Sequence, residues 1–368
     1  MRARRGRGIM PAGEDMPRAE FGSTRHRVSR RESPGGRAEA RPESVVAEFR
    51  RGGTAPGNSS PLTVIVCTYN RPHRVAGFLE SFFKESYHPR HLIIVDASPE
   101  AETERIVAAF PLDGAPDVRV SYFRVGGDLR GLTTQRNFGL RHVDTTHVVY
   151  FDDDVILSPD CLSVLETVFE KDPAVVGAAG YNDAYHPSRK LWKVRKALGI
   201  VAHLRPGSYH RSGMAVPWSF MSPDEVLVSD WLPGCGMMWR TSVLREAGGF
   251  NEGFRHYALG EDIDMSLRAG KRGKILVVGP AKFKHLLDEG GGRPNDFRKG
   301  YMEIYNRFQI QKRGLPDRTW RDTLLFAYAW TVDTFMLLRN VIRPRYTGPI
   351  IRQICGRISG AFDVLLGR

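Results

Sequence analysis

The sequence contains few cysteines, and its N-terminus lacks a long apolar run. The four cysteines in this chain of 368 residues are far apart and form no Cys-x-x-Cys pair. This argues against a zinc ribbon or a disulfide framework, and it suits a reducing compartment. Residues 1–20 lack the continuous apolar segment of a secretory signal. We therefore expect an intracellular protein.

The C-terminal region has an apolar stretch that is too short to cross a membrane. TLLFAYAWTVDTFMLL has 16 residues and is interrupted by Asp333, whereas a bilayer core needs about 20 apolar residues. Trp320, Trp330 and the flanking arginines instead fit an amphipathic helix anchored on the face of a membrane. A helix packed on the rest of the protein is the alternative.

The net charge of +13 is concentrated at the two ends of the chain. Residues 1–60 carry 13 arginines against 7 acidic residues, and residues 296–368 carry 13 basic against 6 acidic residues. Residues 61–295 hold 28 of each sign. Because the first sixty residues have few large apolar side chains, we expect a disordered basic tail there. A nucleic-acid-binding arm is disfavoured, because aromatic residues are not interleaved with the arginines.

From Pro61 onward, β-branched apolar runs alternate with segments of helical spacing. The runs that predict buried strands are LTVIVCTYN, HLIIVDAS, VRVSYFRV and HVVYFDDD. Between them lie the helical segments RPHRVAGFLESFFKES, ETERIVAAF and LTTQRNFGLRHV. Alternation with short connections predicts an α/β fold, a mostly parallel sheet with helices on both faces.

Polar residues follow these strands where they end. They are Thr68, Tyr69 and Asn70 after the first strand, Asp96 at the end of the second, and Asp152–Asp154 after the fourth. Ligands of open α/β sheets bind at the carboxyl ends of the strands. We therefore expect one crevice to gather these side chains.

The three adjacent aspartates indicate a metal site. Side chains alternate along a strand, so Asp152 and Asp154 share one face while Asp153 points away. Hard divalent cations take oxygen ligands, and Mg²⁺ is commonly held by one or two carboxylates plus substrate phosphates. An acidic loop that caps the next helix is the alternative, but Ser158 and Asp160 already meet that need.

Six segments occur in the order seen in family 2 glycosyltransferases of the GT-A fold, and the chain resembles that family over roughly residues 61–310. They are PLTVIVCTYNRP, IIVDAS, GLTTQRNFGL, VVYFDDDVILSPDCL, WLPGCGMMWRTSVLREAGGFNEGF and GEDIDMSLRAGKRG. Each motif is weak alone, but six in register are specific. The resemblance implies a Rossmann-like sheet and an inverting sugar transfer from a nucleotide-diphosphate donor, helped by Mg²⁺ or Mn²⁺.

The resemblance also implies which residues bind the donor. Thr68, Tyr69 and Asn70 would line the nucleotide pocket, and Asp96 would hydrogen-bond the base. Arg136 would lie near the diphosphate at a helix start, where free N–H groups suit an anion.

The aspartate triplet would complete the donor site. Asp152 and Asp153 would belong to the donor-binding residues, with Asp152 facing the ribose or sugar. Asp154 would bind the metal, and His285 is a second candidate ligand, although a lone histidine is more often structural. Many relatives have a second acidic residue at the position of Ala97, and this difference affects which nucleobase the donor pocket would prefer. We favour a UDP-sugar over a GDP- or dTDP-sugar.

The acceptor half follows from the same resemblance. Asp262 matches the base that removes the proton of the acceptor hydroxyl, and Glu261 would orient the acceptor. Trp231 and Gly234 would form the floor of the acceptor site, as an aromatic plane and a point of close backbone approach. Helix capping by Glu261 and Asp262, and a core position for Trp231, are the alternatives. The segment EGGGRP is predicted to be a mobile flap, and residues 182–229 receive no assignment.

These observations predict three regions and one function. We expect a basic tail at 1–60, a catalytic domain at 61–310 with nucleotide-binding (61–155) and acceptor (156–310) halves, and a helical, membrane-associated segment at 311–368. The expected enzyme is an inverting hexosyl-type glycosyltransferase of cell-surface polysaccharide synthesis. It would act on a glycan or polyprenyl-linked acceptor in the cytoplasm, peripherally bound to the anionic inner face of the plasma membrane.

Two other classes of function fit the sequence less well. A metal-dependent sugar-phosphate nucleotidyltransferase needs a glycine-rich loop with a lysine after the first strand, and TYNRPHR is not such a loop. A nucleic-acid-binding protein is disfavoured by the neutral middle of the chain and by its acidic crevice.

Overall fold

The structure is a computed structural model that describes residues 45–52, 60–112, 117–254, 257–287, 292–338 and 344–367. The elements of the first half are β1 (Val45–Arg51), β2 (Leu62–Thr68), α1 (Pro72–Phe82), β3 (His91–Asp96), α2 (Glu102–Ala109), β4 (Arg119–Val125), α3 (Leu132–Arg141), β5 (His147–Asp152), β6 (Val155–Leu157) and α4 (Cys161–Lys171). The second half has β7 (Val175–Asn182), α5 (Arg189–Ala197), β8 (Val226–Val228), β9 (Gly236–Arg240), α6 (Thr241–Glu246), α7 (Glu261–Ala269), β10 (Lys274–His285), α8 (Asp296–Gly314), α9 (Trp320–Leu338) and α10 (Pro344–Leu365).

The strands form one large sheet in the order β1-β4-β3-β2-β5-β9-β7-β10-β6, with β8 paired to β10. Strands β4, β3, β2 and β5 are parallel neighbours, as are β7 and β10. Strand β9 runs antiparallel to both β5 and β7, and it joins the two parallel parts. The predicted α/β fold is confirmed, with antiparallel strands added at the seam and at the edges.

Alternating side chains of the parallel strands build a core on each face of the sheet. Ile65 and Ile93 belong to the core that packs against α3, α6 and α7. Val64 and Val66 face the opposite way, into the core that packs against α1 and α4. Because both faces are covered by helices, the central strands β2, β3 and β5 are apolar along most of their length, as the sequence indicates.

The strand β1 corrects part of the prediction for residues 1–60. Residues 45–51 were included in the disordered tail, but they pair antiparallel with β4. Phe49 stacks on Tyr122 with ring centroids 5.0 Å apart, and Arg51 donates to the carbonyl of Val107 at 2.8 Å. The arginine-rich average of the whole region concealed this short alternating segment. Residues 1–44 and 53–59 lie outside the described residues.

The C-terminal helices pack on the rest of the protein. A Cβ at Gly300 of α8 or at Gly356 of α10 would overlap the facing backbone, so these glycines let the two helices lie close together. Helix α9 buries Phe326 and Trp330 in a third apolar cluster with Trp192. The prediction that Trp330 is a membrane anchor is therefore wrong, because its side chain is buried in this cluster.

The outer sides of these helices remain open to solvent. Trp320 is 68% exposed. None of the described helices combines the length and the apolar character that a membrane-spanning segment requires.

Candidate active site

A cavity of about 900 Å³ lies at the carboxyl ends of β2 and β5. Eleven of the thirteen predicted site residues line it: Thr68, Tyr69, Arg136, Asp152, Asp153, Asp154, Trp231, Gly234, Glu261, Asp262 and His285. The predicted donor and acceptor halves thus face one shared space. Gly292 and Arg293 of the predicted flap also line this cavity, whereas residues 289–291 lie outside the described residues.

Asp152, Asp154 and His285 form a cluster that fits a metal ion. One ligand atom from each of the three lies within 4.8 Å of the others. The Nε2 atom of His285 is 2.8 Å from Oδ1 of Asp154 and 3.6 Å from Oδ2 of Asp152. Strand pairing explains the convergence, because β10 ends at His285 opposite Val155, which directly follows the aspartates.

The charges of this cluster keep Asp154 ionised and His285 protonated. Burial opposes the ionisation of Asp154, but the hydrogen bond from His285 and the charges of His285, Arg71 and Arg293 hold its pKa well below the usual range. Burial also disfavours the charged form of His285, yet Asp154 and Cys235 raise its pKa to about 11. A metal binds the neutral imidazole, so a cation would replace the proton that His285 shares with Asp154. Two carboxylates and one imidazole fit Mn²⁺ or Mg²⁺.

Asp153 turns away from the cluster, as the strand alternation predicts. Its carboxylate accepts a hydrogen bond from Thr68 Oγ1 at 2.6 Å and another from Arg71 Nη1 at 3.0 Å. It therefore anchors the end of β2 to the end of β5.

Arg71 is a site residue that the sequence reasoning missed. Its Nη1 atom also donates to Asp154 Oδ2 at 3.1 Å, so one buried guanidinium bridges two of the three aspartates. The three like charges coexist because each has a cationic neighbour: Arg136 for Asp152, Arg71 for Asp153, and His285 with Arg71 for Asp154. The sequence feature that could have identified Arg71 is its position directly after the TYN turn at the end of the first strand.

Arg136 has a different position from the predicted one. It is the fifth residue of α3 rather than at a helix start, and it is buried. Its guanidinium donates to Glu261 Oε1 at 2.7 Å, to Asp152 Oδ1 at 3.2 Å and to the carbonyl of Gly234 at 2.8 Å. All three bonds are internal, and Arg136 links the carboxylates of Asp152 and Glu261.

Asp262 lies at the start of α7, with its side chain held by backbone N–H groups. Gly234 N donates to Oδ2 at 3.1 Å, and Ile263 N donates to Oδ1 at 2.8 Å. Gly260 precedes the helix with φ +90, a conformation that favours glycine. A Cβ at Gly234 would lie only 2.8 Å from Glu261 Oε1, so a side chain at this position would displace the Glu261 carboxylate.

Burial makes both carboxyl groups at this helix start more basic. Burial raises the pKa of Asp262, while Arg307 and the two backbone donors oppose the rise. Burial and the charge of Asp262 raise the pKa of Glu261 to about 8, despite its ion pair with Arg136. A carboxylate with a raised pKa is a stronger base, which suits proton removal near neutral pH.

Asp96 and Asn70 do not line the cavity. Asp96 is completely buried; Ser98 N donates to its Oδ1 at 2.7 Å, and the Tyr122 hydroxyl donates to its Oδ2 at 2.7 Å. Because Asp96 is not exposed to the cavity in this structure, its predicted hydrogen bond to a base stays a prediction. Ala97 lines the cavity in its place, and Asn70 forms an exposed turn with φ +54.

Aromatic side chains line part of the cavity, including Trp231 of the predicted acceptor site. Trp231 is 9% exposed and donates from Nε1 to the carbonyl of Val216 at 3.3 Å, so it is a core residue with one face at the cavity. Its aromatic neighbours there are Tyr185, Trp192, Trp218, Tyr257 and Trp330. Three of these come from the unassigned residues 182–229.

Two family models match the chain. The model described as "Glycosyl transferase family 2" matches residues 63–216, and "Glycosyl transferase family group 2" matches residues 147–347. No curated protein matches significantly.

Two solved glycosyltransferase structures are similar to this chain. A mannosyltransferase from Pyrobaculum calidifontis, in complex with GDP-Man and Mn²⁺, is 16% identical with a TM-score of 0.51, over 83% of this chain and 89% of that one. TarS 1–349 from S. aureus, in complex with UDP, is 15% identical with a TM-score of 0.46, over 83% and 92% of the two chains.

Fold, site and family models agree on the class of protein: it is a glycosyltransferase with the GT-A fold. The second family model spans more than half of the sequence, and the chain belongs to glycosyl transferase family group 2.

Proposed function

We propose that this enzyme transfers a sugar, with inversion, from a nucleotide-diphosphate donor to an acceptor hydroxyl. The observation that carries this proposal is that the metal cluster and Asp262 line one cavity. The catalytic domain would span residues 61–310.

The proposed reaction is a single displacement. The Asp262 carboxylate takes the proton of the acceptor hydroxyl, and that oxygen attacks the anomeric carbon from the face opposite the leaving group. The bond from the anomeric carbon to the diphosphate oxygen breaks, and the nucleoside diphosphate leaves with the electron pair. A Mg²⁺ or Mn²⁺ ion held by Asp152, Asp154 and His285 would offset the charge of that diphosphate. Glu261 would orient the acceptor, held in turn by Arg136.

The donor proposal combines the cavity with its metal cluster. Cys67, Thr68, Tyr69 and Ala97 offer a pocket for a nucleoside beside the cation site. The mannosyltransferase of similar fold was solved in complex with GDP-Man and Mn²⁺, which supports a nucleotide sugar with a divalent cation. We propose a UDP-sugar as the first donor to test and a GDP-sugar as the second.

A thermal-shift screen tests this proposal. We expect nucleotide sugars to raise the melting temperature of the protein only when Mn²⁺ or Mg²⁺ is present, because a ligand that binds the native state stabilises it. EDTA should reverse the shift, and sugar phosphates without a nucleoside should give a smaller one. The proposal fails if no nucleotide sugar shifts the melting temperature with either cation.

We also propose that α9 and α10 rest on an anionic membrane surface, where the enzyme would meet a glycan or polyprenyl-linked acceptor for cell-surface polysaccharide. Ile351, Ile358, Phe362 and Leu365 are exposed and fall on one face of α10. On α9, Trp320, Leu324, Tyr328, Phe335 and Leu338 are exposed as well. The two helices thus bury one side in the protein and offer a second apolar side, the arrangement of an interfacial helix. The site of action would be the inner face of the plasma membrane.

Surface substitutions test the membrane proposal better than truncation, because α10 packs tightly on α8. We expect the double variant Ile358→Ser, Phe362→Ser to bind vesicles of phosphatidylglycerol and phosphatidylcholine roughly tenfold or more weakly in sedimentation, since it removes two insertable side chains. High salt should weaken binding by the wild type only in part, because the apolar contribution is not screened.

The matched control is Val226→Ser, Val228→Ser, which removes two exposed apolar side chains from β8. It should sediment like the wild type. Equal sedimentation of the α10 variant and the wild type would show that this face does not bind the membrane.

A further inference from the structure

Three cations of α8 line the cavity without an ion-pair partner among the described residues. They are Arg298, Lys299 and Arg307, and within the part of the chain that the structure describes, their side chains form no ion pair and no hydrogen bond. Two other arginines of the cavity are matched, Arg136 by Glu261 and Arg195 by Asp333. Unmatched cations at a cavity wall suggest a negatively charged ligand.

Glu303, which lies between Lys299 and Arg307 on α8, does not cancel the positive charge of these two residues. Lys299, Glu303 and Arg307 are spaced four residues apart on one face of α8, and all three line the cavity. Arg357 pairs with Glu303 at 2.7 Å, and Gln353 donates to it at 2.8 Å. Because Arg357 already neutralises Glu303, Lys299 and Arg307 keep a net positive charge along this wall.

Arg307 lies beside the acceptor end of the site. Its Nε is 3.9 Å from the position that a Cβ on Gly260 would occupy, directly before Glu261 and Asp262. The preceding residue ties α8 to this loop, since Asn306 Nδ2 donates to the carbonyl of Leu259 at 3.0 Å. The Nε atom is buried and lacks a hydrogen-bond acceptor among the described residues. The charge of Arg307 also opposes the rise in the pKa of Asp262.

We infer that Arg307 and Lys299 form a phosphate-binding subsite for the acceptor, so that the enzyme takes an acceptor that carries a phosphate ester near the reacting hydroxyl. The inference deepens the proposed function and rests on it. An arginine fork matches the oxygens of a phosphate, and a nearby lysine adds a point charge. The donor diphosphate has its own partners at the metal cluster.

The surroundings favour a lipid as the source of that phosphate. Trp330 and Asp333 of α9 and Arg357 of α10 also line the cavity, and the opposite sides of these helices carry the exposed apolar residues. A phosphate bound by Arg307 would therefore lie near the proposed membrane face, where the head group of a prenyl phosphate would be found.

Binding of two phosphate esters tests the inference. Farnesyl phosphate and glucose 1-phosphate would be titrated by calorimetry into protein alone and into protein saturated with Mn²⁺ and UDP, or Mn²⁺ and GDP. With the nucleotide in place, we expect farnesyl phosphate to bind the wild type and to bind Arg307→Gln roughly tenfold or more weakly, because a charge-assisted hydrogen bond is lost. Lys299→Gln should weaken the binding of farnesyl phosphate less than Arg307→Gln does, and Arg307→Lys should retain much of the wild-type affinity.

Two controls separate charge from fold. Lys312→Gln removes an exposed charge of α8 outside the cavity and should bind like the wild type. Farnesol lacks the phosphate and should not distinguish Arg307→Gln from the wild type. Arg307-dependent binding of glucose 1-phosphate as tight as that of farnesyl phosphate would support the subsite and assign it to soluble phosphate esters.

Two results would overturn the inference. One is wild-type affinity of Arg307→Gln for both esters. The other is a loss of nucleotide and Mn²⁺ binding in that variant with ester binding intact, which would assign these cations to the donor. Failure of the proposed function gives a different result, because the wild type would then bind no nucleotide. The titrations into protein alone would still show whether Arg307 binds a phosphate ester.

Discussion

Replacing Asp262 with asparagine is expected to lower kcat by a factor of about 10² to 10⁴, the usual contribution of a general base. The affinity for the nucleotide sugar should stay near that of the wild type, because Asp262 is not part of the metal cluster. The amide oxygen of asparagine can still accept the hydrogen bond from Gly234 N. Fold and donor binding should therefore survive while proton removal is lost.

The pH dependence gives a second readout for the same residue. The base acts only when ionised, so kcat of the wild type should rise with pH through the pKa of Asp262. Burial raises that pKa, which moves the acid limb above the range of an ordinary carboxyl group. The acid limb should disappear in Asp262→Asn.

The control for Asp262→Asn is Asp224→Asn, which changes the same kind of side chain at a position whose carboxylate is 85% exposed. It should retain full activity. If Asp262→Asn turns over within a few-fold of the wild type, Asp262 only caps α7, and the base must be sought elsewhere.

The sequence was sufficient for the elements that follow simple periodicity. Strands β2 to β5 and helices α1 to α3 occur where apolar runs and helical spacing predict them. The face that Asp153 takes follows from the alternation of a strand, and it is observed. These features depend on the local sequence, so they can be predicted from the sequence alone.

Features that depend on contacts between residues far apart in the sequence were harder to predict. The burial of Asp96 depends on Tyr122, whose hydroxyl meets the Asp96 carboxylate only in the folded sheet. Trp330 looks like a membrane anchor in sequence because its neighbours are apolar and basic. It is buried in a cluster with residues such as Trp192 and Val216, which come from a segment without a recognisable motif.

His285 owes its place beside the aspartates to strand pairing. Its sequence context gave no reason to prefer a ligand over a structural role. The pairing of β10 with β6 brings Nε2 to 2.8 Å from Asp154 Oδ1, and the backbone N–H of Leu286 then donates to the Asp154 carbonyl at 3.0 Å. The position of this candidate ligand is therefore fixed by sheet register rather than by local sequence.

Replacing Asp154 with asparagine is expected to weaken Mn²⁺-dependent binding of the nucleotide sugar by roughly 100-fold or more, the upper end of what metal sites lose when a neighbouring group changes. The asparagine keeps the size of the side chain but removes its charge and one anionic ligand atom. Calorimetric titration of the nucleotide sugar, with and without Mn²⁺, measures this change directly.

The adjacent carboxylate provides the matched control for Asp154. Asp153 is also buried and also pairs with Arg71, but it turns toward Thr68 and is not part of the metal cluster. Asp153→Asn should lower stability while Mn²⁺ still strengthens donor binding. Normal Mn²⁺ dependence in Asp154→Asn would remove Asp154 from the metal site. The same loss in both variants would mean that the cation responds to the total negative charge of the triplet, and that no single aspartate acts as its ligand.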